Sequence, residues 1–367
     1  MRSVSSKYVT VLTALVLAGA VAQAAGAAAA APGRHSHIPA VCAKSFNPYR
    51  EPASLVRACG DRILPLRHVT ALPGGGKAYS YGDYTQLVPP AHFNVLRASD
   101  KRLSEYGFPT RKQLGSRFYA VMRHYRHEVA PPKFMVMSNT KAASDTGNWS
   151  GYNVNSHTYT DVSASWTEPG FTSAGGCTGD EFAQWAGLGG LKSDFIGQAG
   201  TAWNYAGIGQ HQAWIEAVNG PNDDVGPAAV PLTATKGATF DVVVTWDPLN
   251  SWYDYSMTNE ATQLFYNGHS RVVSSDTVTA EVITERPDPD GQLTELSDYT
   301  GLNVLQSEAS YGTTRDVGFF TLSHNAITMD DGINTPGRGT TVSFPSTLHS
   351  DNTFTMTWNK CSVPQIP

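Results

Sequence analysis

From Asn148 to Pro367 the sequence is a succession of short runs of β-branched and aromatic residues, separated by clusters of turn-forming residues. Thr239–Trp246 and Phe354–Trp358 are two such runs, and Asn267-Gly268 is a dipeptide typical of hairpin turns. No long amphipathic helix interrupts the pattern, which excludes folds that alternate strands with helices. The pattern predicts an all-β domain, an antiparallel β-sandwich or jelly roll of the concanavalin-like kind.

The N-terminus has the features of a secretory signal peptide. Arg2 and Lys7 precede an apolar run from Val9 to Val21, and an A-x-A cleavage pattern follows at residues 22–24. We assign residues 1–24 to this peptide, with cleavage as late as residue 31, and expect a secreted, extracellular protein. No later stretch approaches about 18 consecutive apolar residues, so we expect no membrane span.

Net charge divides the remaining chain into two parts. Residues 32–147 contain 17 Lys and Arg against 7 Asp and Glu, whereas residues 148–367 contain 7 against 24. Opposite charges favour docking of one part on the other, and unrelated solvated surfaces are the alternative. We interpret 32–147 as a basic propeptide with a linker, and 148–367 as a β-sandwich peptidase domain. The acidic part lacks a basic stripe, which argues against a nucleic-acid partner.

Apolar residues at helical spacing predict a helix between Lys112 and Glu128 in the propeptide. The small, polar stretch from Ser138 to Gly147 is predicted to be an exposed linker and a cleavage site. If charge attraction docks the propeptide, the carboxylates that pair with it should have lowered pKa values. Docking should then weaken as the pH falls.

Four cysteines fit an oxidising destination, and they allow three pairings. The simplest arrangement joins Cys42 to Cys59 and Cys177 to Cys361, with one bridge on each side of residue 147. No C-x-x-C motif or Cys/His cluster indicates zinc, so we predict no metal and no cofactor.

Two short motifs carry side chains suited to acid–base chemistry. Alternate residues of a strand share a face, so Glu281, Ile283 and Glu285 should lie together. Since buried unpaired charge is costly, this face is exposed to water or lines a groove. In the other motif Gln198 stands between glycines, where a second backbone can approach closely. Taken alone, a solvated glutamate and a surface glutamine are the ordinary explanations.

The ordered set of motifs is more specific than any one of them. It comprises, in chain order, 148–152 (NWSGY), 162–169 (VSASWTEP), 185–190 (WAGLGG), 196–201 (IGQAGT), 213–216 (AWIE) and 280–285 (AEVITE). In order and spacing these motifs resemble the eqolisins, glutamic peptidases whose catalytic residues are one Gln and one Glu. Residues 103–109 resemble the leader region of bacterial eqolisin-like precursors.

The resemblance implies roles for particular residues. Gln198 matches the catalytic glutamine, and Glu285, the second Glu of its motif, matches the catalytic glutamate. The implied substrate-groove residues are Trp149, Trp185, Trp214, Glu216 and Glu281. Two positions depart from the fungal eqolisins, which have acids where this chain has Gly189 and Ala202, so specificity and the pH of best activity do not carry over.

These observations predict a secreted, acid-acting endopeptidase that is made as a zymogen. It would be a monomer whose partners are polypeptide substrates and its own propeptide. Glu285 would act as general base and then acid, and Gln198 would donate to the oxyanion.

The rival interpretation is a jelly-roll glycoside hydrolase or a carbohydrate-binding module, because aromatic-lined curved sheets also hold sugars. Glu216 and Glu285 would then be the carboxylate pair, and such pairs lie about 5–9.5 Å apart.

Overall fold

Two large β-sheets pack face to face and enclose the main hydrophobic core. Their long strands pair antiparallel, and the helices that the structure describes are short and precede residue 123. The predicted all-β sandwich class is confirmed.

The computed structural model describes residues 49–58, 62–137, 147–171, 180–204, 211–220, 226–287, 293–331 and 339–361. All of them belong to one compact unit that spans residues 38–367. No helix in these ranges is long and apolar enough to cross a membrane. The predicted signal peptide, and all of the predicted linker except Gly147, lie outside the described residues.

The described residues within 49–137, here called the N-terminal segment, contain helices and strands. The helices are α1 (Ala53–Ala58), α2 (Asp100–Ser104), α3 (Arg111–Leu114) and α4 (Phe118–Met122), with 3₁₀ turns at Pro73–Gly75 and Gly115–Arg117. The strands are β1 (Arg62–Pro65), β2 (His68–Ala71), β3 (Lys77–Tyr81), β4 (Tyr84–Val88), β5 (His127–Glu128) and β6 (Phe134–Met137).

The described residues from 147 onward form strands only. They are β7 (Trp149–Val154), β8 (Tyr159–Thr167), β9 (Gly170–Phe171), β10 (Asp180–Gly189), β11 (Phe195–Trp203), β12 (Gln212–Asn219), β13 (Ala228–Thr233), β14 (Thr239–Asp247), β15 (Trp252–Asn259), β16 (Leu264–Arg271), β17 (Ala280–Glu285), β18 (Glu295–Leu296), β19 (Tyr299–Thr300), β20 (Asn303–Tyr311), β21 (Thr314–Gly318), β22 (His324–Ile327), β23 (Met329–Asp330), β24 (Thr341–Pro345) and β25 (Phe354–Trp358).

Sheet 1 has the strand order β1-β6-β13-β12-β11-β10-β17-β7-β22, with β18 beside β10. Sheet 2 has the order β2-β3-β4-β16-β15-β14-β8-β20-β25-β24-β23, with β21 beside β20 and β5 beside β16. We call the face of each sheet that meets the other sheet its inner face, and the opposite one its outer face.

Strand β12 shows how the sequence separates the two faces of sheet 1. Ala213, Ile215 and Ala217 are buried in the core between the sheets, as the alternation of apolar residues predicts. Trp214 and Val218 belong to a second apolar cluster, on the outer face. This second cluster is the environment in which the predicted site residues lie.

The N-terminal segment supplies strands to both sheets. β6 pairs antiparallel with β13, with Met137 opposite Ala228, and β1 continues sheet 1 beyond β6. β4 pairs antiparallel with β16, with Gln86 opposite Gly268, and β3 and β2 continue sheet 2. Both sheets therefore contain more strands than residues 147–361 alone would give them.

The helix predicted between Lys112 and Glu128 is broken and ends early. Gly115 adopts a φ of +48°, a left-handed conformation that ends α3 at Leu114. α4 ends at Met122, because the chain beyond it pairs with β16 and the His127 N–H donates to the Gln263 carbonyl at 2.9 Å. A tertiary pairing has replaced the last turns of the predicted helix.

The hairpin turn predicted at Asn267-Gly268 is also wrong, because both residues lie inside β16. β16 is bonded to β15 on one side and to β4 on the other. The side chain of Asn267 accepts a hydrogen bond of 2.7 Å from Ser256 on β15. Ladder pairing on both sides outweighs the local turn preference of the dipeptide.

Arg117 ties the N-terminal segment to the outer face of sheet 2. Its guanidinium donates to Glu308 Oε2 at 2.8 Å, to Ser163 Oγ at 3.2 Å and to Ser165 Oγ at 3.0 Å. The expected lowering of the partner's pKa is wrong here. Burial, followed by the neighbouring Asp316, raises the pKa of Glu308 to about 8, although Arg117 acts to lower it. Burial costs the ionised carboxylate more hydration free energy than its attraction to the Arg117 guanidinium returns.

We predict that Glu308→Gln becomes more stable relative to the natural protein as the pH rises. A carboxyl whose folded pKa is raised from 4.5 to about 8 contributes stability below pH 4.5 and loses it as the pH rises through 8. The uncharged amide has no such loss, so the difference in unfolding free energy should grow by on the order of 4 kcal/mol between pH 4.5 and 8.5. Urea unfolding at several pH values measures it.

Asp351→Asn is the matched control, because Asp351 is exposed and its pKa is lowered through hydrogen bonding to Thr353. Its stability difference should stay flat over the same pH range. A difference that shrinks with rising pH in Glu308→Gln would contradict the raised pKa.

Candidate functional site

A row of polar side chains crosses the outer face of sheet 1 at one level. The strand register places Glu216 opposite Gln198, Gln198 opposite Gly187, and Gly187 opposite Glu281, which in turn lies opposite Asn153. Because cross-strand partners project on the same face, these side chains form one line across five strands. We call this line the polar row.

An apolar row lies beside it, two residues further along each strand. Trp214 is opposite Gly200, Gly200 is opposite Trp185, and Trp185 is opposite Ile283. The Trp185 ring also meets Trp149 edge to face, with centroids 5.0 Å apart. The three predicted groove tryptophans therefore share the outer face with the polar row, and all three are buried.

Gln198 is held by a hydrogen bond within the polar row. Its Nε2 donates to Glu216 Oε2 at 2.5 Å. Its Oε1 has no hydrogen-bond partner among the described residues. A Cβ on Gly187 would lie 3.0 Å from Trp185 Cζ3 and 3.1 Å from the Gln198 Cβ, so the absence of a side chain there makes room for the Trp185 ring beside Gln198.

Glu281 lies on the other side of Gly187. Its carboxyl group is fully buried. Neither of its oxygens makes a well-formed hydrogen bond with a described residue. Burial raises the pKa of Glu281 well above its usual value, Thr279 acts to lower it, and the charge of Asp276 adds to the increase. Burial therefore favours the protonated form of this carboxyl in the described conformation.

Glu285 lies on the same face but not in the polar row. It is opposite Ala183, which is itself opposite Ala202. Four residues along a strand separate it from Glu281, a distance of about 13 Å. Asn148 Nδ2 donates to its Oε1 at 2.8 Å, and Trp185 Nε1 donates to its Oε2 at 2.7 Å.

The register thus sets Gln198 and Glu281 at one level, on either side of Gly187, and sets Glu285 four residues away from that level. The strands that carry Gln198 and Glu281 are separated only by β10, which puts their backbones roughly 10 Å apart. A glutamine and a glutamate that extend over a glycine can converge on one small molecule between them. This arrangement suits a reaction that needs an acid–base group and a neutral hydrogen-bond donor.

A family model described as the Peptidase A4 family matches residues 147–358. The chain belongs to this family. It is therefore a glutamic peptidase, and its resemblance to the eqolisins is confirmed.

Two solved structures similar to this peptidase are enzymes of the same kind. Scytalido-glutamic peptidase, solved with a transition state analog inhibitor, is 16% identical over 58% of this chain and 98% of that chain, with a TM-score of 0.47. SCP-B, described as a member of the eqolisin family of peptidases and solved with the tripeptide Ala-Ile-His, is 15% identical over the same shares, with a TM-score of 0.44. No curated protein matches the chain significantly.

The carboxylate pair of the rival glycoside hydrolase does not form in this peptidase. β12 and β17 are separated by β11 and β10, and Glu285 is further displaced by four residues from the level of Glu216. These offsets put the two backbones close to 20 Å apart, roughly twice the separation that glycosidase carboxylates use.

The two positions that lack groove acids have different explanations. Gly189 has a φ of +89°, and a Cβ there would lie 2.2 Å from the Asp276 carbonyl oxygen. An acidic residue therefore does not fit at 189 without a change in the backbone. Ala202 is buried in the outer-face cluster, at the level of Glu285 on β17.

Sequence reasoning missed two polar residues at this site. Asn148, which donates to Glu285, and Asn153, which lies opposite Glu281 in the polar row, are both buried. Asn325 Nδ2 donates to Asn153 Oδ1 at 3.3 Å, which extends the row to β22. A signal for Asn153 was available, since it follows Trp149 and Gly151 at the spacing of one strand face.

The predicted disulfides lie mostly outside the described residues. Cys42, Cys59 and Cys177 belong to ranges that the structure does not describe, so both pairings, including that of Cys361, stay predictions. Within the described ranges, no group of three or more His, Cys, Asp or Glu residues is arranged to hold a metal ion.

Proposed function

We propose that this protein is a secreted, acid-acting glutamic endopeptidase in which Gln198 and Glu281 are the catalytic pair. One observation carries the assignment: the register places both residues opposite Gly187, on the same face of sheet 1. Secretion rests on the signal-peptide pattern of residues 1–24. Acid action rests on the residue types of the pair. Neither a carboxyl nor an amide depends on a neutral imidazole, which acid would protonate.

The proposed reaction begins with a water molecule between the two side chains. The Glu281 carboxylate takes a proton from this water, and the water oxygen bonds to the carbonyl carbon of the scissile peptide. The carbonyl oxygen becomes an oxyanion that accepts a hydrogen bond from Gln198 Nε2. Glu281 then returns the proton to the peptide nitrogen, the C–N bond breaks, and the two products are a carboxylic acid and an amine.

Glu216 fits the role of holding the Gln198 amide in place. An amide NH₂ group has two hydrogens, and the bond to Glu216 uses one of them. The second hydrogen is then available to the oxyanion. A preorganised neutral donor of this kind contributes about 3–4 kcal/mol to transition-state stabilisation in comparable sites.

This proposal moves the acid–base role from Glu285 to Glu281. The two glutamates share a face, so strand alternation alone does not distinguish them. Glu285 is about 13 Å from the level of Gln198 and is engaged by Trp185 and Asn148. Its contacts fit a residue that fixes the Trp185 indole, which forms one wall beside the polar row.

We predict that Glu281→Gln lowers acid hydrolysis of casein by about 10³-fold or more, since it removes the general base. Gln198→Ala should lower it by roughly 10²–10³-fold through loss of the oxyanion donor. Glu285→Gln, the matched variant on the same strand face, should keep activity within about tenfold of the natural enzyme. Each variant is processed with the same added protease, so that failure of self-cleavage does not mimic failure of catalysis.

Thermal unfolding of all three variants controls for misfolding. The assignment is wrong if Glu285→Gln abolishes turnover while Glu281→Gln keeps it. That outcome would restore Glu285 as the acid–base residue.

We further propose that the full chain is a latent form. Gln198 is 3% exposed and Glu281 is 0% exposed, so a polypeptide cannot reach the pair in this conformation. Val56 of α1 is fully buried in the same outer-face cluster as the three tryptophans, with Leu55 packed against it. The Tyr49 hydroxyl also donates to the Ala229 carbonyl on β13.

The protonation of Glu281 adds to latency. A buried carboxyl with a raised pKa keeps its proton and cannot accept one from water. Opening of the outer face would hydrate this group, which lowers its pKa toward the ordinary range near 4. Exposure therefore both admits the substrate and produces the base.

We predict that Val56→Asp raises the activity of the uncut full chain toward a short fluorogenic peptide several-fold. A carboxylate at this position opposes the packing of α1 on the outer face. Ser54→Asp, on the exposed side of the same helix, should leave latency unchanged. Equal activity in the two variants would show that α1 does not maintain the latent state.

A further inference from the structure

The N-terminal segment differs from a propeptide that covers a finished domain, because it completes both sheets. The edge of sheet 1 at β13 is bonded to β6, and the edge of sheet 2 at β16 is bonded to β4. Without these partners, both edges would present unpaired backbone N–H and C=O groups on the same side of the sandwich.

Side chains of the segment are also part of the main core. Tyr81, Tyr84, Val129, Met135 and Met137 are buried between the two sheets, in one cluster with residues of β8, β10, β14 and β17. Their removal would leave a cavity in a core that is otherwise close-packed.

A second core lies on the outer face of sheet 2. Phe108, Phe118 and Tyr125 of the segment pack there against Val243 and Phe265. The Phe108 and Phe265 rings have centroids 5.2 Å apart, and those of Tyr125 and Phe265 are 5.5 Å apart. Apolar contacts of this kind do not weaken as salt screens charge.

Polar bonds fix the register of this second contact. Gln113 Nε2 donates to Thr245 Oγ1 at 2.8 Å, and the Ser256 and Tyr125 hydroxyls are hydrogen-bonded to each other at 3.0 Å. The Val129 N–H donates to the Phe265 carbonyl at 3.0 Å. The Arg117 contact described above adds a charged bond to the same surface.

From this placement we propose that residues 62–137 are a permanent second chain of the enzyme. When the chain is cut between residues 138 and 147, they remain bound to residues 148–361 as a noncovalent partner, and only the part that precedes β1, including α1, is displaced to open the outer face. The mature enzyme is then a two-chain protein. This inference concerns assembly and does not depend on the catalytic assignment.

Acid should not separate the two chains. The groups that face Glu308 at this contact are Arg117 and Asp316, and burial raises the pKa of Glu308 in the bound state. Glu260 and Arg117 face Asp241, as do His124 and Tyr125 of the segment, and burial is the main cause that raises the pKa of Asp241 to about 6. Both carboxyls therefore favour the bound state more as the pH falls, whereas His124, whose pKa burial lowers, acts in the opposite direction.

The test uses the full chain with Glu281→Gln, which suppresses self-digestion if the proposed function holds and has no bearing on association if it fails. A recognition sequence for a site-specific protease is inserted between Ala143 and Ser144, and the protein is cut to completion. Size-exclusion chromatography then follows at pH 7, at pH 7 with 1 M NaCl as a screening condition, and at pH 4. We expect the two pieces to elute together in equal amounts in all three buffers.

Separation of the pieces in any native buffer would overturn the proposal. Separation in high salt alone would show that charge attraction, and not shared sheets and core, holds them together.

Two neighbouring residues give a matched pair of variants in the cut protein. Phe118 is 1% exposed in the second core, whereas Tyr119 is 62% exposed. Phe118→Ala should lower the urea midpoint for dissociation by about 1 M, and Tyr119→Ala should leave it unchanged. Equal midpoints for both variants would contradict the assigned interface.

Discussion

The antiparallel pairing of β10 with β11 on one side and with β17 on the other is the constraint on which the site depends. Backbone hydrogen bonds fix which residues stand opposite Gly187, and that choice decides which amide and which carboxyl share a level. A shift of the pairing by two residues would keep every side chain on its face, yet would place Ile283 where Glu281 now lies, and a shift by four would place Glu285 there. A shift by one residue would turn the whole row into the core.

Burial gives the same carboxyl two chemical states. In the described conformation Glu281 is shielded from water and its pKa is raised, which favours the protonated form, so in our proposal the pair is inactive as well as inaccessible. The carboxyl becomes a base only when hydration stabilises its ionised form. The proposed control of access and the proposed control of protonation are one physical effect, because both would follow from removal of the apolar cover on the outer face.

The segment before residue 138 contributes to the fold in two distinct ways. α1 packs on the outer face of sheet 1 through Val56, whereas the strands and helices from β1 to β6 extend both sheets and fill two cores. The charge difference between residues 32–147 and 148–367 is real, but the contacts that carry the association are largely apolar and backbone bonds. Where charge does enter, at Arg117 and Glu308, desolvation dominates and reverses the expected direction of the pKa shift.

The sequence by itself determined the fold class, the face on which the site lies and the family. Period-two alternation in Ala213–Ala217 and in Ala280–Glu285 separates core from groove because neighbouring side chains of a strand point in opposite directions. The ordered motifs identified Gln198 and two candidate glutamates. Only the tertiary structure supplies the register on which our proposal of Glu281 in place of Glu285 rests, since register depends on pairings between strands that are far apart in the chain. It also decided that Asn267-Gly268 continues a strand, that the predicted helix stops at Met122, and that residues 62–137 belong to the sandwich. In each case a partner distant in sequence supplied hydrogen bonds or apolar contacts that local propensity does not contain.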